Sequence, residues 1–392
     1  MSDLSIVKLV AGGDGLGFID GKAVFVPDTL PGELVRARVT QRHRDFDRAV
    51  LLEVREPSPH RVAPPCRLAG ICGGCDWLHI SYTEQLAQKV AIVREALRRI
   101  GHLEPPELAI EPSPALGSRC RAQVHRQGDT LGYMGARSNQ LVKVETCPIV
   151  TPSIDAIFRD GGRAPADRER FTVFGAGSGA AAVEGIDDDR DIAVTVRGRP
   201  IVFSVGCFFQ SNLGALEMLV PWALEDLAGA TAADLYCGVG LFGAFLSERF
   251  SRIICVEQSA MSIAYARRNV TGPATDFFPM SVEQWIASGA ARAVPDTVVV
   301  DPPRAGLGPE VRDWLCRAGP ARLVYVSCNP VTLARDLRQL LSGGFRLDAM
   351  RLFDFYPQTS HVEAVARLSR EASSYGVPFD VQGAASPSGE TS

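Results

Sequence analysis

Over residues 5–57 apolar and polar positions alternate in short runs: IVKLV, AVFVP, LVRARVT and RAVLLEVRE, separated by the turn material GGDGLG, IDGK and DTLPGE. Short β-rich runs broken by Gly, Pro and Asp at this interval predict a five-stranded, OB-like barrel. Residues 58–82 are rich in Pro, Gly and Cys and show no period. Beyond them Leu86, Val90, Val93, Leu97 and Ile100 recur at helical spacing, with Ser81 or Thr83 available as a cap. Residues 110–200 read as mixed strands with a polar, Gly/Ala-rich loop over 160–190.

From about residue 215 the period switches back and forth. ALEMLVPWAL (helix) leads to AADLYCGVG (strand and glycine turn), FGAFLSERF (helix), RIICVEQ (strand) and MSIAYARRNV (helix). TVVVDPPR, EVRDWLCRAG, RLVYVSCNP and TLARDLRQLL continue the alternation, which predicts a doubly wound, largely parallel α/β sheet of the Rossmann-like kind. The closing EASSYGVPFDVQGAASPSGETS has the composition of a disordered tail. The expected division is 1–57, a barrel; 58–200, a small central α+β domain; 201–370, an α/β domain; and 371–392, the tail.

The chain of 392 residues is 46% hydrophobic and 22% charged, with 37 Gly and 26 Pro, which excludes fibrous and fully disordered classes. No apolar run reaches membrane-spanning length and no secretion signal opens the sequence, so a cytoplasmic protein with no membrane contact is expected. The net charge of −4 conceals local basic runs. Arg36, Arg38, Arg42, Arg44 and Arg48 share one hairpin, opposed by Asp45 and Asp47, and Lys89, Arg94, Arg98 and Arg99 share one face of the predicted helix. Each run is either a solvated face or a contact for an RNA backbone. No obligate protein partner is evident.

Ten cysteines in such a chain point to metal ligation or catalysis. Cys66, Cys72 and Cys75 lie close together in PCRLAGICGGCDWLH, with Gly73 and Gly74 giving the backbone freedom to converge. A fourth ligand is needed, and Cys147, directly before a proline, is the natural candidate. Four thiolates suit zinc or an iron–sulfur cluster. Cys120, Cys207, Cys255 and Cys316 stand in apolar surroundings as core residues.

Gly238 and Gly240 follow a strand and open a helix, where backbone amides meet a ligand. Glu257 ends the next strand, placed to bind a ribose diol. The glycine pair without a third glycine favours S-adenosylmethionine over a dinucleotide. The strand Thr297–Val300 runs into Asp301-Pro302-Pro303-Arg304, a rigid platform at the sheet's carboxyl edge. The next strand delivers Cys328 to the same edge, before Asn329-Pro330 and a helix, where its thiolate would be favoured. His361 and Glu363 are expected on one side of a short buried strand, with the Glu363 carboxyl raised in pKa and suited to a general base.

Together these motifs resemble the RNA 5-methyluridine methyltransferase family, in its branch with an N-terminal TRAM domain and a four-iron four-sulfur cluster. The resemblance spans about residues 5–368 and rests on GDGLGFIDGKAVFVPDTLPGE, the Cys66/Cys72/Cys75/Cys147 set, Phe208-Phe209-Gln210-Ser211-Asn212, DLYCGVGLF, DPPRAGLG, VSCNPVTLARDL and PQTSHVEAV. It implies a class I methyltransferase domain acting on uracil C5 in RNA, with 23S rRNA favoured by the TRAM module and tRNA as the alternative. Cys328 would be the nucleophile and Glu363 the base. Gln210, Tyr236, Glu257 and Asp301 would contact S-adenosylmethionine, and the four cysteines would hold a 4Fe-4S cluster that organises the RNA-binding surface. This chain departs from many relatives in having Leu241 where they carry a polar residue. Whether Ser281 or Glu283 meets the adenine stays open. A cluster-bearing RNA-binding protein without catalysis would lack Cys328 or Glu363, and an oxidoreductase would bind nicotinamide or flavin.

Overall fold

The computed structural model describes residues 1–160, 163–177 and 179–370; the expected tail, 371–392, lies outside them. The chain opens with β1 (Ser2–Leu9), β2 (Gly15–Ile19), β3 (Lys22–Val26), β4 (Leu34–Arg42) and β5 (Phe46–Glu56). They close a barrel in the order β1-β2-β3-β5-β4. Alternation sends Leu4, Ile6, Val24, Val26, Val35, Ala37 and Ala49 inward, so the intervening arginines of β4 face out. Of the predicted basic hairpin, Arg36 is paired with Asp3 at 2.9 Å and Arg48 with Asp14 at 3.4 Å. Arg38, Arg42 and Arg44 remain on the exposed edge.

Helix α1 (Tyr82–Arg99) follows, then β6 (Ala109–Glu111), β7 (Arg121–Gln127), β8 (Thr130–Met134), β9 (Leu141–Lys143), α2 (Pro152–Asp160), β10 (Arg170–Phe174) and β11 (Ala182–Val183). The order β11-β10-β7-β8-β9 makes one antiparallel sheet. The loop expected over 160–190 therefore contains two strands: RFTVF buries four of its five residues against β7, and Gly and Ala around it disguised the signal. A hairpin of β12 (Ile192–Val196) and β13 (Arg199–Phe203) leads to the last unit.

That unit runs α3 (Leu213–Ala223), β14 (Gly229–Leu235), α4 (Leu241–Leu246), β15 (Phe250–Val256), α5 (Ala260–Asn269), β16 (Ala274–Phe278), α6 (Val282–Ala287), β17 (Thr297–Val300), α7 (Pro309–Ala318), β18 (Arg322–Ser327), α8 (Pro330–Ser342), β19 (Arg346–Phe353) and β20 (Glu363–Ser369). The eight-stranded sheet has the order β16-β15-β14-β17-β18-β20-β19-β6. Strands β14 to β18 are parallel, and Val298, Val299, Val300, Leu323, Val324 and Val326 are buried on both faces, as sheets covered by helices require. β20 inserts antiparallel between β18 and β19, which places Glu363 at the same end as the carboxyl termini of the parallel strands. β6 pairs with β19, so the sheet recruits a strand from well before residue 200. Among the described residues no helix is long and apolar enough to cross a membrane.

The helical face expected to offer Lys89 to solvent is corrected here. Lys89 is wholly buried, paired with Asp354 at 2.5 Å, and donates to the Tyr356 carbonyl at 3.0 Å. Its neighbours are also engaged, Arg98 with Glu104 and Arg99 with Glu95. A charged residue at a helical spacing between polar neighbours reads as exposed; the buried carboxylate that draws it inward lies 265 residues later. Removing Lys89 alone would strand the Asp354 carboxylate, so Lys89→Ala should cost about 3–5 kcal/mol, whereas Lys89→Met with Asp354→Leu should recover most of it. Denaturant unfolding of the three proteins checks this; equal losses in the single and double variants would contradict it.

Candidate active site

The carboxyl ends of β14, β15, β17 and β18 surround a cavity of about 710 Å3 that also takes in the start of β20, the place where open α/β sheets bind ligands. At its floor the chain leaves β14 through Tyr236, with φ of 63°, and Gly240, with φ of 83°. Tyr236 is a strained position for a residue with a side chain, and such strain concentrates at functional turns. Gly240 has a second constraint: a Cβ there would come within 2.9 Å of Val270 and 3.0 Å of Ala266, so glycine lets α4 close on α5. Asp234, beneath the turn, accepts from the Gly243 amide at 2.7 Å, and complete burial pushes its carboxyl up to about 8.

Glu257 follows β15 and is fixed by the backbone. Its two oxygens accept from Gly238 N at 3.1 Å and Ser259 N at 2.7 Å, which holds the carboxylate edge toward the cavity. Across from it Gln210 donates to Asp301 Oδ2 at 3.3 Å. Tyr236 Oη lies 3.5 Å from Glu283 Oε1, and Ser281 caps α6 in a reciprocal box with Gln284. Ser281 and Glu283 both line the cavity, as does Leu241. The Phe208 ring stands 59% exposed at the rim with the Arg121 guanidinium 5.2 Å from its centre.

Cys328, Asp301 and Glu363 form the acidic end. Glu363 is 4% exposed, and burial followed by the neighbouring Asp301 holds its carboxyl well above the usual range, with Arg304 opposing. Burial likewise pushes Asp301 up to about 7. Cys328 departs from the expectation that its thiolate would be favoured. Burial, then Glu363 and Asp301, push the thiol up to about 11, and Arg304 offsets only part of this. Burial first, and then two acidic neighbours, outweigh the one cation. His361 also departs from expectation: β20 begins at Glu363, so His361 sits in the preceding turn, its Nε2 3.3 Å from Arg304. The candidates Gln210, Tyr236, Glu257, Asp301, Cys328 and Glu363 thus share one cavity. Tyr356 also lines this cavity, and nothing in its local sequence pattern marks it.

The other cysteines converge separately. Cys66, Cys72, Cys75 and Cys147 line a pocket with Leu68, Leu78, Tyr133, Val144 and Arg119, and all four are free and half-buried. The Gly73 position is dictated by packing, since a Cβ there would lie 2.9 Å from the Met134 carbonyl. Gly74 N donates to Cys72 Sγ at 3.4 Å. Burial pushes the Cys75 thiol up to about 12 and raises Cys72 and Cys147. Four sulfur donors in an apolar pocket suit a soft metal centre, which would hold them as thiolates. Among the described residues no three His, Cys, Asp or Glu side chains close on a point for a single metal ion.

Comparison with known proteins agrees with this architecture. A family profile described as tRNA (Uracil-5-)-methyltransferase matches residues 186–285 and 291–371, and a TRAM domain profile matches 3–52. A protein of Treponema denticola named as an uncharacterized RNA methyltransferase is 31% identical, over 91% of this chain and 96% of its own length. The 23S rRNA (uracil(1939)-C(5))-methyltransferase of Alcanivorax borkumensis is 30% identical, over 92% and 95%. The crystal structure of Pyrococcus abyssi tRNA (uracil-54, C5)-methyltransferase with S-adenosyl-L-homocysteine shares the fold, with a TM-score of 0.68 and 24% identity over 93% of this chain and 100% of that one.

In the ligand-free protein the rate of Cys328 alkylation by iodoacetamide, followed by peptide mass spectrometry, should climb about tenfold per pH unit through pH 9.5 without levelling, because the thiol titrates near 11. Glu363→Gln removes a like charge wherever Glu363 is ionised and should raise the rate at the alkaline end of the series. A plateau near the ordinary thiol value in the unsubstituted protein would mean that Arg304 and the helix end dominate.

Proposed function

This chain belongs to the RNA (uracil-5-)-methyltransferase family, and from that premise we propose that it methylates C5 of a uracil in RNA, with 23S rRNA as the substrate class. The reading rests on one observation above others: a thiol and a buried carboxyl, Cys328 and Glu363, open from adjacent strands into a cavity whose far end is the glycine turn and Glu257. The rRNA assignment draws on the TRAM module and on the Alcanivorax relative, which acts on 23S rRNA by its name. We place the enzyme in the cytoplasm, where its RNA would be found.

S-adenosylmethionine supplies the methyl group as an electrophilic sulfonium. We assign its binding to Gln210, Tyr236, Glu257 and Asp301, with Glu257 taking the ribose hydroxyls. Uracil C5 is a weak nucleophile. The Cys328 thiol gives up its proton to solvent, and its thiolate adds to C6, forming an Sγ–C6 bond and pushing electron density through the enolate to C5. C5 then takes the methyl group as its bond to the donor sulfur breaks. Glu363 removes the C5 proton, the C5–C6 double bond re-forms, and Sγ leaves. A carboxyl raised by burial is a strong base once ionised, which is the property this last proton transfer needs. The uracil must leave its stack to reach both groups.

Division of labour follows the chain. Residues 1–57 act as an RNA-binding module, 58–200 carry the cysteine pocket, and 201–370 do the chemistry. We assign a 4Fe-4S cluster to Cys66, Cys72, Cys75 and Cys147. Four thiols around one apolar pocket supply the sulfur donors that such a cluster takes. Its contribution is structural.

With S-adenosylmethionine and unmodified RNA, nucleoside mass spectrometry should detect 5-methyluridine in large rRNA; product in tRNA alone would overturn the substrate class, and none in either would overturn the activity. Cys328→Ala should make no product. Glu363→Gln should accumulate a protein–RNA adduct on denaturing gels, since elimination stalls after methyl transfer; a clean gel would remove Glu363 from the role of base. Protein purified without oxygen should carry about four irons, and stoichiometric zinc would refute the cluster.

A further inference from the structure

Arg304 is the cation nearest the chemistry: its charge opposes the crowding that raises both Cys328 and Glu363. Its backbone is fixed, since Asn329 Nδ2 donates to the Arg304 carbonyl at 2.9 Å and Thr332 Oγ1 at 3.3 Å. The side chain is exposed at the cavity rim. Among the described residues its guanidinium has no ion-pair partner, and its one side-chain hydrogen bond is to His361 Nε2 at 3.3 Å. A guanidinium can only donate, so Nε2 must present its lone pair and the ring proton sits on Nδ1.

We propose that His361 is a positioning residue that holds the Arg304 guanidinium toward Cys328 and Glu363 as an uncharged acceptor, leaving the full positive charge for those two acids. A carboxylate in its place would hold the guanidinium at least as firmly but would cancel the charge that makes Arg304 useful. The surroundings keep the imidazole neutral. Burial comes first, and the charges that reach it are all cationic: Arg304 from the loop after β17, Arg119 from the segment before β7, and Lys89 from α1; together they push it down to about 4. The Tyr356 ring stands edge-on at 5.9 Å. The turn itself is clamped, with Ser360 N donating to Asp76 Oδ1 at 2.9 Å and His361 N to Thr359 Oγ1 at 3.3 Å.

The inference rests on the reading of Cys328 and Glu363 as the reacting pair, yet its test needs no RNA. Iodoacetamide labelling of Cys328 in the full ligand-free chain at pH 8.5 is compared for His361→Gln, His361→Ala and His361→Glu. Labelling of the other nine cysteines and the thermal melting profile serve as controls for folding. The glutamine variant, a neutral acceptor, should label within about twofold of the parent. The glutamate variant should label about tenfold more slowly, as one unit of thiol pKa requires, and alanine should fall between. Adding His361→Ala to Arg304→Met should slow labelling no further than Arg304→Met alone, because the histidine acts through the arginine. Equal rates for the glutamine and glutamate variants, or a further loss in the double variant, would overturn the proposal. If the labelling order holds while no 5-methyluridine forms, the positioning role stands and the methyltransferase reading falls. If product forms and the order is flat, the reverse is true.

Discussion

Three acids share one end of one cavity, and most of the site's design can be understood as management of that crowding. Asp301, Cys328 and Glu363 come from three strand ends that the sheet forces together, and each is buried far enough that its charged form is disfavoured. In water such groups would ionise independently; here ionising one raises the cost of ionising the next. The charged form of each is therefore held back by the others. A cation beside these acids relieves part of the repulsion, as Arg304 does for Cys328 and Glu363.

Much of this was legible in the chain. The switch from a period of two to a strand–helix alternation points to the parallel sheet, and the rule that such sheets bind ligands at their carboxyl edge points to the Gly238–Gly240 turn, Glu257, Asp301 and Cys328, whereas Gln210 and Tyr236 enter only through the family resemblance. What local pattern could not carry was anything set by distant neighbours. Lys89 looks solvated until Asp354 is found beside it. Cys328 looks activated by the helix that follows it until Glu363 arrives antiparallel from 35 residues further on. RFTVF reads as part of a loop until β7 supplies the other half of its ladder. Each miss is a case of tertiary context overriding a sound local expectation.

The cysteine pocket and the cavity at the sheet edge are also joined, through the segment that follows Cys75. Cys75 is followed directly by Asp76 and Trp77, and these grip the turn that precedes β20. Asp76 takes the Ser360 amide, and Trp77 N donates to the Gln358 carbonyl at 3.0 Å. Gln85 closes on both the backbone and the side chain of Gln358 at 2.9 Å, and Lys89 ties down Asp354 and the Tyr356 carbonyl. Trp77 Nε1 reaches back to the Gly13 carbonyl of the barrel at 3.2 Å. The strand carrying Glu363 thus begins from a turn whose position is set by the barrel, the cysteine segment and α1 together. In the proposed reaction Glu363 must meet one carbon of one extruded pyrimidine and tolerates little drift, which these hydrogen bonds limit. Loosening the cysteine pocket would then reach Glu363 and His361 through hydrogen bonds already in place.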